Sequence, residues 1–201
     1  MFLLPKPIPF FKKTGIILFL LTFGVARAQT FDARLLKAIN SEHTKYDKIW
    51  FGFTHSATPI AILAPLTMYG MGHYHYLPNG KSNAYAMAGS LAINSILTVS
   101  LKYAIHRERP FVAEKDIYKK TDVGPYSFPS GHTSTVFATA TSITLAYPKW
   151  YVAAPAFAWA SAVGYSRMHL GVHYPSDVLA GAILGSLSSF MAFKLNQKFI
   201  K

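Results

Sequence analysis

Cysteine is missing from all 201 residues. The chain therefore has no disulfide framework, no thiolate nucleophile and no thiolate metal site, and cysteine usage says nothing about its redox compartment. Acidic side chains are scarce: 8 Asp and Glu stand against 20 Lys and Arg, for a net charge of +12. Only 14% of residues are charged while 51% are apolar, and the mean hydropathy is +0.23. That balance is unusual for a soluble protein of this size and points to several membrane passes. No internal repeat or low-complexity tract is visible. The basic residues lie in short segments between apolar runs. Anionic lipid head groups or a phosphorylated substrate suit that placement better than nucleic acid, which is not an expected partner. The length fits one domain with a full core.

Residues 1–28 read as a signal peptide or an N-terminal anchor. Lys6, Lys12 and Lys13 form a basic start, Ile16 to Ala26 an apolar stretch, and Ala26-Arg27-Ala28 a cleavage-type site. Cleavage before Gln29 is the favoured reading, and residues 29–201 form the expected domain. Residues 31–50 place Leu35, Leu36, Ile39, Ile49 and Trp50 among charges, which predicts an amphipathic helix at the membrane surface. Candidate spans follow at about 57–77, 84–105, 133–148, 150–165 and 178–194. Gly181 and Gly185 form a small-xxx-small pair of the kind that marks close helix contact. With residue 29 outside, the segments around Lys81 and Lys149 and the tail with Lys194, Lys198 and Lys201 all fall inside. Each is basic, as the positive-inside rule expects. The segment 102–120 breaks that rule, since it lies outside yet carries Lys102, Arg107, Arg109, Lys115, Lys119 and Lys120. An anionic substrate is one reason for a basic cluster on that side.

Three stretches on the outer side carry the chemistry. Pro129-Ser130-Gly131-His132 precedes an apolar run and reads as a helix start, with Ser130 or Gly131 as N-cap. Free N–H groups and the helix dipole make such a start an anion site, and His132 stands one residue inside it. Lys102 and Arg109 are seven apart. They share a face if the helix runs through both, and Pro110 then marks its end. A point charge and a planar fork together suit a tetrahedral phosphate. His106 and Arg107 fall off that face and read as solvated or interfacial. In the third stretch, Pro175 suits the first turn of a helix, and Asp177 in that turn can reach back to His173. An aspartate on one ring nitrogen leaves the other free as a nucleophile. His169 lacks a carboxylate four residues on and reads as structural or substrate-facing. The loop 111–128 reads as a solvated rim rather than a lid.

Each stretch has an ordinary explanation alone. Together they match K-x6-R-P (Lys102–Pro110), P-S-G-H (Pro129–His132) and S-R-x5-H-x3-D (Ser166–Asp177), in that order. The chain thereby resembles the type 2 phosphatidic acid phosphatase (PAP2) superfamily, which also includes bacterial acid phosphatases and vanadium haloperoxidases. The resemblance implies an all-α fold, an integral-membrane helical bundle of about five to six transmembrane helices. It implies a phosphatase acting on the terminal phosphate of a membrane lipid through a phosphohistidine. The lipid would be lipid A, undecaprenyl diphosphate, phosphatidylglycerol phosphate or phosphatidic acid. In this reading His173 attacks phosphorus, Asp177 orients it and His132 protonates the leaving oxygen. Lys102, Arg109, Arg167, Ser130 and Gly131 cradle the phosphate. No metal and no cofactor are implied. The location is the bacterial inner membrane, with the site facing the periplasm. Two readings compete: a vanadium-dependent haloperoxidase, disfavoured by the small size and the spans, and a non-enzymatic lipid transporter or binding protein, disfavoured by the complete set of acid, base and nucleophile.

Overall fold

The computed structural model describes residues 30–199, so the leader segment lies outside the described residues. Helix α1 covers residues 30–39. It is followed by α2 (Asp47–His73), α3 (Gly80–Ile105), the single turn α4 (Pro110–Ala113), α5 (Gly131–Ala146), α6 (Trp150–His169) and α7 (Pro175–Phe199). No strand occurs among the described residues. The long helices run alternately up and down. The C-terminal ends of α3 and α6 therefore meet the N-terminal ends of α5 and α7 at one end of the bundle. The segment 106–130 closes over that end, and α1 lies across it. The protein is an all-α helical bundle, as the sequence predicts.

Helices α2, α3 and α7 are long and apolar enough to cross a membrane. Ile62 and Leu66 on α2, Ile96 and Val99 on α3, and Leu179, Ile183 and Leu187 on α7 face outward. An outward apolar surface of this extent suits lipid rather than water. Helix α5 has only 16 residues and is enclosed by its neighbours, with Thr133, Ser134, Val136 and Ala138 to Ser142 all buried. Its low apolar asymmetry follows from that position, because a helix covered on every side needs no polar face.

Small residues let the helices approach closely, and hydroxyls bond across the contacts. Ser189 of α7 joins Ser90 of α3 at 2.7 Å and accepts from Ser142 of α5 at 3.1 Å. Trp159 of α6 donates to Ser56 of α2 at 2.9 Å. The tightest approach is between α5 and α7. A Cβ on Gly181 would meet the Ser130 carbonyl oxygen at 2.7 Å, and one on Gly185 would meet that of Ser134 at 2.0 Å. The small-xxx-small pair thus sets how near α7 stands to the start of α5. Gly185→Ala should lower stability by roughly 1–3 kcal/mol through overpacking. Gly89→Ala, whose new Cβ would find its nearest atom at 3.9 Å, should leave stability unchanged or raise it. Thermal unfolding in detergent separates the two, and equal melting points would contradict the close contact.

Candidate active site

Helix α5 starts at Gly131 with Ser130 as N-cap in extended conformation, and no side chain caps it. The first helical bond within it runs from Ser134 N–H to the Ser130 carbonyl at 2.9 Å. The N–H groups of Gly131, His132 and Thr133 therefore lie ahead of the ladder, in the position that favours an anion. Ser130 is fully buried: its N–H donates to the Asp177 carbonyl at 3.0 Å and its Oγ accepts from Thr133 at 2.9 Å. Helix α7 begins at Pro175, so Asp177 sits in its first turn, as expected.

His173 lies between α6 and α7 in a link that must turn sharply. Gly171 makes the turn at φ 72, and a Cβ there would strike the Tyr118 carbonyl at 2.2 Å. His173 is 2% exposed. Its Nε2 is 3.1 Å from Arg109 Nη1, and its Nδ1 is 3.5 Å from Asp177 Oδ2. A guanidinium can only donate, so Nε2 is the acceptor and Nδ1 carries the proton toward the carboxylate. The Nδ1 contact is longer than a good hydrogen bond. Burial pushes the imidazole pKa down to about 3, with Asp177 opposing the shift and Arg109 and Arg167 adding to it. A buried neutral imidazole of this kind can act as a nucleophile once its Nε2 lone pair is released from Arg109.

The cations gather around it. Arg109 is 4% exposed, and its Nε donates to the Gly124 carbonyl at 2.9 Å while Nη1 donates to that of Val172 at 2.8 Å. Lys102 Nζ donates to the Tyr126 carbonyl at 2.9 Å and lies within electrostatic range of Arg109, Arg167 and Asp177. Arg167 is 2% exposed; its Nη1 donates to the Thr54 hydroxyl, and its Nε is buried without a hydrogen-bond partner. A buried unpaired guanidinium nitrogen is costly, and such exceptions mark places where a ligand is expected. The His132 imidazole makes no hydrogen bond among the described residues and lies within electrostatic range of Arg167, His55, Arg109 and Lys102. A cavity of about 310 Å³ opens beside it, lined by Lys102, Gly131, Ser134, Thr135 and Asn94 among others. A second, apolar cavity of about 560 Å³ shares Thr58, Ser95 and Thr135 with the first and continues between α2 and α3 past Leu66 and Leu91 to Tyr69 and Tyr85.

All eight residues expected at the site are therefore brought to one place, but one expected reason is wrong. Helix α3 stops at Ile105, and His106 takes a left-handed conformation at φ 53. Lys102 and Arg109 consequently do not share a helical face; the chain turns between them. A second correction concerns Arg107, which is neither solvated nor interfacial. It is half-buried and pairs with both Asp177 at 2.7 Å and Asp32 at 2.9 Å. His169 is structural, with Nε2 on Asp47 Oδ1 at 2.7 Å. The segment 111–128 is more than a solvated rim. Lys120 pairs with the same Asp47 oxygen at 2.8 Å. Tyr118 exchanges two hydrogen bonds with Asn40, and Ile117 is buried with Leu36 and Tyr174. Asp32, Asn40, Asp47 and Thr54 escaped the sequence reading because their partners are far along the chain and no local pattern marks them.

The residues 83–201 match the family model described as the PAP2 superfamily. Among curated relatives, the chain is 37% identical over 120 residues to an undecaprenyl-diphosphatase of Sulfolobus acidocaldarius, covering 53% of each chain. It is 34% identical over 155 residues to a lipid A 1-phosphatase of Rhizobium etli, covering 70% of this chain and 66% of that one. The chain thus spans only about half to two thirds of the length of these relatives. Among solved structures it resembles the transmembrane PAP2-type phosphatidylglycerolphosphate phosphatase from Bacillus subtilis. That likeness has a TM-score of 0.69 and 26% identity over 92% of this chain and 96% of that one.

The depressed His173 pKa predicts a pH-dependent stability. In the unfolded chain an imidazole gains its proton below about 6.5, whereas the folded ring resists protonation until about 3. The stabilisation is intact above pH 6.5 and is lost as pH falls through that window. The melting temperature should drop between pH 7 and 4, and it should drop less in His173→Gln. Identical pH slopes for the two proteins would contradict a buried neutral imidazole.

Proposed function

The chain belongs to the PAP2 superfamily, and from that premise we propose that this integral membrane protein is a phosphatase that removes the terminal phosphate of a membrane lipid. The observation that carries the reading is the pairing of His173 Nε2 with a guanidinium fork next to the uncapped start of α5. A phosphoryl group held there by Arg109, Arg167, Lys102, the Ser130 hydroxyl and the Gly131 N–H has its negative charge matched from several directions. Phosphoryl transfer depends on that matching and on alignment more than on covalent assistance.

In the first step His173 Nε2 attacks phosphorus, forming a P–N bond as the P–O bond to the lipid breaks. His132 gives its proton to the departing oxygen, and Asp177 stabilises the positive charge that develops on the His173 ring. In the second step His132 takes a proton from water, the water oxygen attacks phosphorus, and the P–N bond breaks to release phosphate and restore His173. The cavity beside His132 suits the leaving group, because in-line displacement places the leaving oxygen away from the nucleophile. Its apolar continuation between α2 and α3 suits a hydrocarbon chain and favours a lipid over a soluble ester. Lipid A, undecaprenyl diphosphate, phosphatidylglycerol phosphate and phosphatidic acid all meet these demands, and relatives carry three of these activities in their names. The distribution of Lys and Arg supports an inner-membrane protein whose site opens to the periplasm. Residues 1–28 would serve as its signal peptide or anchor.

Phosphate release from a panel of these lipids by purified protein in detergent tests the proposal. His173→Ala should reduce kcat by about a thousand-fold or more. Undiminished release would remove it as nucleophile. His132→Ala should cost about 10²–10⁴-fold on lipid substrates and much less on aryl phosphates, whose leaving groups need no proton. Activity should survive EDTA; its loss would contradict a metal-free mechanism.

A further inference from the structure

Asp32 belongs to none of the three motifs, yet it is 5% exposed and fully engaged. Its Oδ1 accepts the Ser176 N–H at 3.0 Å, and its Oδ2 accepts from the Ser176 hydroxyl and from Arg107 Nη2 at 2.9 Å. The other terminal nitrogen of Arg107, Nη1, donates to Ser176 Oγ at 2.6 Å and to Asp177 Oδ1 at 2.7 Å. The guanidinium lies 4.1 Å from the centre of the Tyr174 ring, which fixes its plane. Asp177 is completely buried and turns its second oxygen to the Tyr174 N–H at 2.9 Å and to His173. One arginine is thus clamped between the carboxylate of the surface helix α1 and the carboxylate that faces the imidazole.

We propose that Asp32 is a positioning residue for the His173–Asp177 pair, acting through Arg107. The fork can bond Asp177 Oδ1 with one nitrogen only while the other is anchored. Asp32 supplies that anchor and also draws part of the guanidinium charge to itself. Without Asp32, Arg107 directs its whole charge at Asp177. The carboxylate then becomes a poorer acceptor for the Nδ1 proton of His173 and a poorer stabiliser of the cationic ring formed on attack. The loss falls on the chemical step, because Arg107 and Asp32 lie behind the carboxylate rather than in the phosphate cradle. Helix α1, whose opposite face exposes Phe31 and Leu35, is therefore part of the catalytic apparatus and not merely a surface attachment.

This inference rests on the phosphatase reading above, and the test keeps the two apart. Asp32→Asn preserves shape and removes charge. It should lower kcat for lipid-phosphate hydrolysis by about ten-fold while KM stays within about two-fold, and Asp32→Glu should recover part of the loss. In an Asp177→Asn background the same change should cost less than about two-fold, because residues acting through one another are not additive. A purely structural role would repeat its full cost there. An unchanged kcat in Asp32→Asn, a rise in KM alone, or a full additive loss overturns the inference. If Asp32→Asn does not fold, Arg107→Lys keeps the charge but cannot span both carboxylates; unaltered kcat in that variant also overturns it. Should His173→Ala retain activity, the phosphatase mechanism itself fails, whatever Asp32 does.

Discussion

Packing several cations into the interior of one bundle end is the constraint on which the rest of the structure depends. Lys102, Arg107, Arg109 and Arg167 gather there with two carboxylates, Asp32 and Asp177. Buried like charges repel strongly where the dielectric is low, and each loses its hydration. The fold answers with carbonyl oxygens. Those of Gly124, Tyr126 and Val172 point at Arg109 and Lys102. The segment 106–130 is therefore shaped in part by the charges beneath it. Its own attachments to Asn40, Asp47 and Lys37 keep it in place.

Helix α5 contributes to the same end differently. Its first turn presents N–H groups, and its position is set by contact with α7 at Gly181 and Gly185. The Ser130 N–H on the Asp177 carbonyl ties the start of α5 to the start of α7. The bond and the close contact together restrict how far the two helix N-termini, which bear His132 and Asp177, can move relative to each other. Proposed chemistry that relies on alignment needs this stiffness more than it needs any single strong contact.

Much of this was legible in the sequence, for a definite reason. Ser130 with His132, and His173 with Asp177, each lie within about a turn of the chain, so the spacing itself carries the geometry of each pair. The helix start at Gly131 and the first-turn place of Asp177 follow directly. Lys102 and Arg109 were found for a partly mistaken reason, because periodicity could not show that the helix ends at Ile105 and that His106 reverses the chain. Arg107 was misplaced for the same cause: off a helical face it looked solvated, but beyond the helix end it turns inward. Its partner Asp32 lies 75 residues earlier in the chain. A pairing over that distance leaves no local mark, and neither does that of Asp47 with His169 and Lys120.

The contact between Arg109 and His173 has one more consequence. The guanidinium nitrogen that hydrogen-bonds Nε2 belongs to the side chain proposed to receive phosphate oxygens. Attack by Nε2 requires that this nitrogen let go, and only a group able to draw a guanidinium toward itself can make it do so. In the proposed mechanism, selection by charge would therefore operate at the attacking nitrogen as well as in the surrounding pocket. A neutral ester that reached the same depth would meet a histidine whose lone pair is still engaged. In that mechanism the side chain that receives the anion also guards the attacking nitrogen, and the anion itself unlocks it.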